Sequence, residues 1–518
     1  MLSVRPRSRN AAMLRRQSSI SMRSEFLTSF LNFKLLKLPE MKILKSFAAL
    51  AVALMLAASC KPAEEAKYEN TNAIWLWGSH MKEAPIQERK KFIDNEMIDG
   101  FRRNAESVFD MRFLEQDMLD VALDRNLVEQ YDTVCTYRVS HNAVTDQKKS
   151  GRCWYFSTLN ILRDEMIRKY DMGHFEFSQT YGQFWDVLEK SNRFLENVIE
   201  NRKKPMHSRM NEWLFKKPIG DGGHFSNAAH IIDKYGLVPQ EIMPERHSSV
   251  DNLRLMNVVR TALRRYGLKL REASKKDIQS VKEAALADIY NILAANLGEP
   301  PVEFRWTLKD KDGNIISDKA YTPESFRDEY VKHNLENDYV IFMDDPTKPY
   351  YRMYSVDNSR NCYEYANWTF LNLPAEELLK MGVESLRDGT MFYISADTDA
   401  SALMMGGIYD TGLYDLDGML GVSLGMTKEE MVRSCEIKSA HAIAMTGVQL
   451  GEDGRPVKWL VENSFGTARG WDGYVVMQNE WLETYLFRMA VERKYVPEHL
   501  LPLLERKPKV LKSWNPTY

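Results

Sequence analysis

The chain has 518 residues, 44% hydrophobic and 11% aromatic, enough to bury one large core or two sub-domains sharing a cleft. With 70 basic and 72 acidic residues the formal charge is −2, which argues against a polyanion-binding role for the whole molecule but not against local basic patches, and the composition is that of an ordered globular protein. The five cysteines, Cys60, Cys135, Cys153, Cys362 and Cys435, contain no CxxC pair, so zinc knuckles, thioredoxin motifs and a disulfide scaffold are excluded as well.

Met41–Cys60 reads "MKILKSFAALAVALMLAASC". Lys42 and Lys45 precede a short apolar run, Ala48–Leu56, that is too short to span a bilayer comfortably. The small residues before Cys60 resemble a bacterial lipoprotein signal, although alanine stands at the third position before the cysteine. That resemblance implies lipidation of Cys60, attachment to a bacterial membrane and a place in the cell envelope. Residues 1–40 are then expected to be an upstream extension, with Met41 the true start, 41–59 the signal and 60–90 a polar tether and N-terminal arm. An Arg- and Ser-rich organellar transit peptide is the rival reading, and it leaves the 41–60 pattern unexplained. No later stretch reaches about 18 uninterrupted apolar residues, so no transmembrane helix is expected.

Trp154–Tyr170 is expected to be a helix, with Tyr155, Leu159, Leu162 and Met166 on one apolar stripe. Ser150 and Gly151 break the chain before it, so Cys153 falls in the first turn, where free N–H groups and the positive dipole end favour a thiolate. Further helices are expected near Phe177–Glu200, from Asn227 to Tyr235 after the turn Ile219–Phe225, and over residues 250–295. The last carries Arg254, Arg260, Arg264, Arg265, Lys269 and Arg271, which read as a solvated face; nucleic acid is not an expected partner. From about Glu303 the texture changes to short strands, and Ala440–Gln478 is the last strong β region. The prolines of the final 20 residues argue for extended or irregular chain. Helices first and strands last give an α+β protein with a cleft between two halves.

A cysteine nucleophile needs a base, and the base needs an orienter. His441 and Asn463 are symmetric about position 452, inside the turn Gly451–Gly454. In an antiparallel hairpin folded there they are opposite or near-opposite, within hydrogen-bond reach. Asn463 can then accept from one ring nitrogen and leave the other facing Cys153. Gln147, six residues before Cys153, can donate to a developing oxyanion together with the Cys153 N–H. Taken singly, each has an ordinary structural reading: a small buried cysteine, a core histidine, a strand-end asparagine, an exposed glutamine. No metal or other cofactor is expected, because His224 and His230 lie six apart rather than the three or four that share a helix face.

"VTDQKKSGRCW" (Val144–Trp154), "SAHAIAMTGV" (Ser439–Val448) and "ENSFG" (Glu462–Gly466) resemble the three active-site blocks of papain-like cysteine peptidases. Within that class the Gly-Arg-Cys-Trp form and the 288-residue gap from Cys153 to His441 resemble the bleomycin hydrolase and aminopeptidase C family. The blocks "FSQTYGQFWDVLEKSNRFL", "KYGLVPQEIMPE" and "MAVERKYVPEHLL" are similar to that family too. The resemblance implies a papain-like two-subdomain fold with a large, mainly helical insertion. The divisions expected are 91–240 for the helical half with the nucleophile, 241–410 for the insertion, 411–500 for the β half and 501–518 for the tail. It also implies Cys153 as nucleophile, His441 as base and then acid, Asn463 as orienter, Gln147 as oxyanion donor, and Gly222 and Gly223 as the backbone wall for a peptide substrate.

The family's chain terminus enters the cleft, where its carboxylate captures the substrate's free amine. The role falls here to Tyr518, although the chain stops about three residues short of the family tail, roughly 10 Å of extended reach. Phe465 replaces the family's usual tryptophan. The function implied is a cysteine aminopeptidase. An open-cleft endopeptidase or dipeptidyl peptidase, and an inactive surface binding lipoprotein on a peptidase fold, are the alternatives. The resemblance further implies a homo-oligomer, a cytosolic hexamer in the family, which a lipid tether opposes.

Overall fold

The computed structural model describes residues 95–105, 112–140 and 142–515 of the chain. Cys60, the 41–60 segment and Tyr518 lie outside the described residues.

Helix α1 (Cys153–Tyr170) begins at the cysteine itself. The expected stripe of Tyr155, Leu159, Leu162 and Met166 is buried, but so is nearly every other residue from Trp154 to Ile167. Helix α1 is central rather than amphipathic. It packs between the main sheet and helices α2 (Gln179–Asn201) and α3 (Phe225–Tyr235). Several of its polar residues are satisfied in burial: Asn160 Nδ2 donates to Thr145 Oγ1 at 3.0 Å, and Asp164 accepts from Asn142 Nδ2 at 2.9 Å, whereas the Tyr155 hydroxyl has no partner among the described residues. The approach of α2 is so close that a Cβ on Gly182 would lie 2.1 Å from the Tyr155 ring. Ser178 caps α2 by accepting the Tyr181 N–H at 3.0 Å.

Helix α3 starts two residues earlier than expected, because His224 takes the cap position and donates its N–H to Asn227 Oδ1 at 3.2 Å. The expected helix over 250–295 is two, α4 (Leu253–Glu272) and α5 (Ile278–Leu297), interrupted where Ala273 turns extended. Both pack on α2. Part of the basic face is tied down: Arg260 donates to the Ile219 carbonyl at 3.0 Å, Arg264 to Phe215 at 3.0 Å and Arg271 to Lys204 at 2.8 Å.

A separate hairpin, β1 (Phe304–Lys309) and β2 (Ile315–Tyr321), follows. The main sheet then takes β3 (Tyr339–Met343), β4 (Arg352–Val356), β5 (Thr369–Asn372), β6 (Phe392–Ala396), β7 (His441–Leu450), β8 (Pro456–Glu462), β9 (Tyr474–Gln478), β10 (Leu486–Glu492) and β11 (Lys509–Leu511). Its order is β11-β4-β5-β3-β10-β6-β7-β8-β9, continued by two short strands, Ile408–Tyr409 and Ala402–Leu403. Strand β6 therefore sits between β10 and β7. The division expected at residue 410 does not follow the sheet: residues 339–396 complete the β half, because β6 supplies the partner that β7 needs on that edge. The tail is also more regular than its prolines suggested. Leu501–Leu504 is helical with Pro502 in its first turn, where a missing N–H costs nothing. Among the described residues no helix is long and apolar enough to cross a membrane.

Candidate active site

The start of α1 is held by charge. Arg152 lays both guanidinium nitrogens on Glu245, each at 2.8 Å, and donates from Nε to Ser150 Oγ at 2.9 Å. The Gly151 N–H donates to Asp221, which also accepts from Asn252 Nδ2 at 2.6 Å. Cys153 is thereby presented, half-buried, at the first position of the helix. The backbone N–H groups of Trp154 and Ala442 point at its sulfur and pull its pKa down, but burial is the larger effect and pushes the thiol up to about 11. The thiolate expected from the helix end is thus not the resting form.

Ala442 follows His441 on β7, so the N–H that faces the sulfur is the neighbour of the imidazole along the strand. The register of β7 with β8 differs from the expected symmetry. Ala444 pairs with Glu462 and Met445 with Val461, which moves the mirror point from 452 to 453. Continued one step, the ladder puts Ile443 opposite Asn463, two residues from His441. An offset of two keeps both side chains on the same face, and the diagonal contact is made: His441 Nε2 lies 2.8 Å from Asn463 Oδ1. That oxygen also accepts the Ser464 N–H at 2.8 Å, which fixes the amide orientation. Nε2 therefore carries the proton, and Nδ1 is the free nitrogen. Burial pushes the imidazole down to about 4, against the Asn463 hydrogen bond, which raises it. Phe465 covers the ring, with centroids 4.6 Å apart and planes at 15°, so the aromatic shield persists without tryptophan.

Gln147 is locked on three sides. Its Nε2 donates to the Ser150 carbonyl at 2.6 Å, its Oε1 accepts from Ser464 Oγ at 2.6 Å, and its backbone N–H donates to the Ser464 carbonyl at 2.9 Å. One amide hydrogen is left for a ligand. Ser464 is the residue that sequence reasoning passed over, although it stands inside the "ENSFG" block. Beneath the site Arg163 of α1 pairs with Glu462, fully buried, tying the nucleophile's helix to the residue before Asn463. Nothing in the local pattern around either residue announces that pair.

Gly222 and Gly223 form the other wall. A Cβ on Gly223 would lie 2.7 Å from the Trp154 ring, whereas Gly222 faces open space. Lys190 Nζ takes the Gly222 carbonyl at 2.9 Å. The Gly223 N–H and carbonyl have no hydrogen-bond partner among the described residues. His224 and His230 are structural: His224 Nε2 lies 3.2 Å from the Ser359 carbonyl, and His230 Nδ1 3.1 Å from Asn361 Oδ1.

The described part of the tail passes near this wall before Trp514 meets Arg209 at 5.1 Å. β11 pairs with β4, and Asn358 Nδ2 donates to Ser513 Oγ at 3.0 Å. Ser359, the next residue, is the one that contacts His224 beside Gly223.

Comparison with known proteins agrees with this arrangement. The Peptidase C1-like family profile matches residues 91–517. The chain is similar to bleomycin hydrolase of Rattus norvegicus, 35% identical over 416 residues, 77% of this chain and 91% of that protein. It is similar to aminopeptidase C of Lactobacillus delbrueckii subsp. lactis, 34% identical over 395 residues, 74% and 88% of the two chains. The crystal structure of PepW from Lactobacillus rhamnosis HN001 superposes with a TM-score of 0.80 at 32% identity, covering 83% of this chain and 99% of that one. With helices packed against a mixed sheet and a Cys-His-Asn cluster at the junction, the chain is an α+β protein of papain-like fold and belongs to the Peptidase C1-like family.

Proposed function

We propose that the chain is a cysteine aminopeptidase that hydrolyses peptides through an acyl-enzyme formed on Cys153. The observation that carries the reading is the His441–Asn463 pair at 2.8 Å on the strand whose next N–H faces the Cys153 sulfur. Burial keeps thiol and imidazole neutral at rest, so the thiol proton passes to His441 Nδ1 as sulfur attacks the scissile carbonyl. The oxyanion receives the remaining Gln147 Nε2 hydrogen and the Cys153 N–H. The imidazolium, oriented by Asn463, then protonates the leaving amine as the C–N bond breaks. A water gives a proton to His441 and attacks the thioester; collapse returns that proton to sulfur and frees the acid. Gly223 offers its N–H and carbonyl to the acyl part as an added strand.

Removal of single N-terminal residues is supported by the similarity to aminopeptidase C and by the position of Ser513, which contacts Asn358 next to the Ser359–His224 contact beside the Gly223 wall. Hydrolysis of a free-amino dipeptide reporter, lost in Cys153→Ala and at least tenfold weaker for the N-acetylated reporter, is the expected result. Equal hydrolysis of both reporters would leave an open-cleft peptidase, and no hydrolysis would leave a binding protein. Lipidation of Cys60 and an envelope location rest on the 41–60 pattern alone. Intact-mass measurement of the membrane fraction after Cys60→Ala tests them.

A further inference from the structure

Arg469 lies in the loop after Asn463, and the reaction above makes no use of it. Its guanidinium sits 4.6 Å from the centre of the Phe465 ring. His441 stacks on the same ring at 4.6 Å, so Phe465 is shared by the imidazole and the guanidinium. The loop beneath it is fixed by backbone bonds: Gly466 N–H to the Thr145 carbonyl at 3.0 Å, Gly470 N–H to Met405 at 3.0 Å, and Gly473 N–H to Arg469 itself at 2.9 Å.

Other arginines at this site are paired, Arg152 with Glu245 and Arg163 with Glu462. Arg469 is half-buried, yet among the described residues its side chain has no carboxylate within 4.0 Å and no hydrogen bond. Stacking satisfies one face of a guanidinium and leaves its planar fork of donors open. Asp399 is exposed, and its field reaches His441 with the opposite sign, but the two form no ion pair. An open cationic fork therefore stands one aromatic ring away from the imidazole.

Its position assigns a side. In the proposed reaction His441 gives its proton to the leaving amine while the acyl part lies along Gly223; Gly223 stands against Trp154, whereas Phe465 and Arg469 stand on His441, the leaving-group side. Two contacts of 4.6 Å to one ring centre put the guanidinium at most about 9 Å from the imidazole centre. One or two extended residues, at about 3.3 Å each, plus a hydrogen bond of about 2.8 Å cover that distance. Resting on the peptidase reading, we propose that Arg469 is the anion-binding end of the leaving-group subsite. It takes a carboxylate carried one or two residues beyond the scissile bond, so short peptides with a free C-terminus, or with an acidic side chain there, are preferred substrates.

The test compares kcat/KM for a free-amino dipeptide and tripeptide with their C-terminal amides, and for amidated peptides with Glu against Gln in the leaving position. The enzyme is used as the wild type, Arg469→Met and Arg469→Lys. A charge-assisted bond at a half-open site predicts a preference of about tenfold for the carboxylate in the wild type. In Arg469→Met the ratio falls to within about twofold of 1, and Arg469→Lys is intermediate. Using ratios cancels any general loss from disturbing the Phe465 stack. Which pair shows the effect tells whether the terminal or the side-chain carboxylate is bound. Equal turnover of acid and amide by the wild type, or a ratio unchanged in Arg469→Met, overturns the assignment. Inertness of every substrate overturns the peptidase reading, and this one with it.

Discussion

The imidazole of His441 should resist protonation far below its ordinary range, and two measurements follow. The residue is 6% exposed, and burial lowers its pKa from 6.5 to about 4. At 1.36 kcal/mol per unit, the charged ring is disfavoured in the folded chain by about 3 kcal/mol. Above pH 6.5 the ring is neutral whether the chain is folded or not, and nothing is lost. Between 6.5 and 4 only the unfolded chain takes up the proton, so stability falls; below 4 both states are protonated and the loss levels off. A His441→Gln variant has no such group. Urea unfolding of wild type and His441→Gln at pH 7.5 and pH 4 should therefore show the wild type losing about 3 kcal/mol more than the variant. In activity, kcat/KM should hold down to an acid limb near pH 4, where the second proton enters the Cys153–His441 pair. An acid limb near 6.5, together with equal pH dependence of the two unfolding curves, would refute the buried neutral imidazole.

Removing the Asn463 side chain takes away the bond that fixes the ring and raises its pKa; Asn463→Ala should lower kcat by about 100-fold and move the acid limb to still lower pH, read from a pH–rate profile. Gly223→Ala forces a methyl to 2.7 Å from the Trp154 ring; it should cost about 1–3 kcal/mol in urea unfolding and raise KM for peptides, while a side-chain effect confined to stability would argue against the substrate wall. Burial raises Glu462 to about 7 against the pull of Arg163, so above that pH Glu462→Gln leaves the Arg163 guanidinium buried without its counter-charge, and about 3–5 kcal/mol of stability should be lost, measured by denaturant titration at about pH 8. Gln147→Ala removes an oxyanion donor that is already held in place by Ser464; kcat should drop about 100-fold with the Cys153 thiol still fully titratable by an alkylating reagent.

What the sequence settled by itself is local. Gly151 and the apolar period after it place the start of α1 within a residue of Cys153, and the turn at Gly451–Gly454 makes β7 and β8 an antiparallel pair with His441 and Asn463 on one face. Such features follow from backbone periods of 3.6 and 2, which neighbouring residues encode. The mirrored spacing survived a shift of the turn centre, because an offset of two preserves side-chain parity. Other properties were decided only when distant segments met. The stripe on α1 could not reveal that the helix is enclosed all round, since β7, which closes one side, is contributed by a distant part of the chain, although α2 follows α1 directly. Strand β6 joined the β half because β7 had an unpaired edge, not because residues 392–396 look different from their neighbours. The protonation of Cys153 inverted the expectation drawn from its helix position, because the helix end supplies a few N–H dipoles while the surrounding fold removes the water. Dipole effects are set by residues within a turn, and desolvation by everything within several ångströms; the first can be read along the chain, and the second exists only once the chain has closed upon itself.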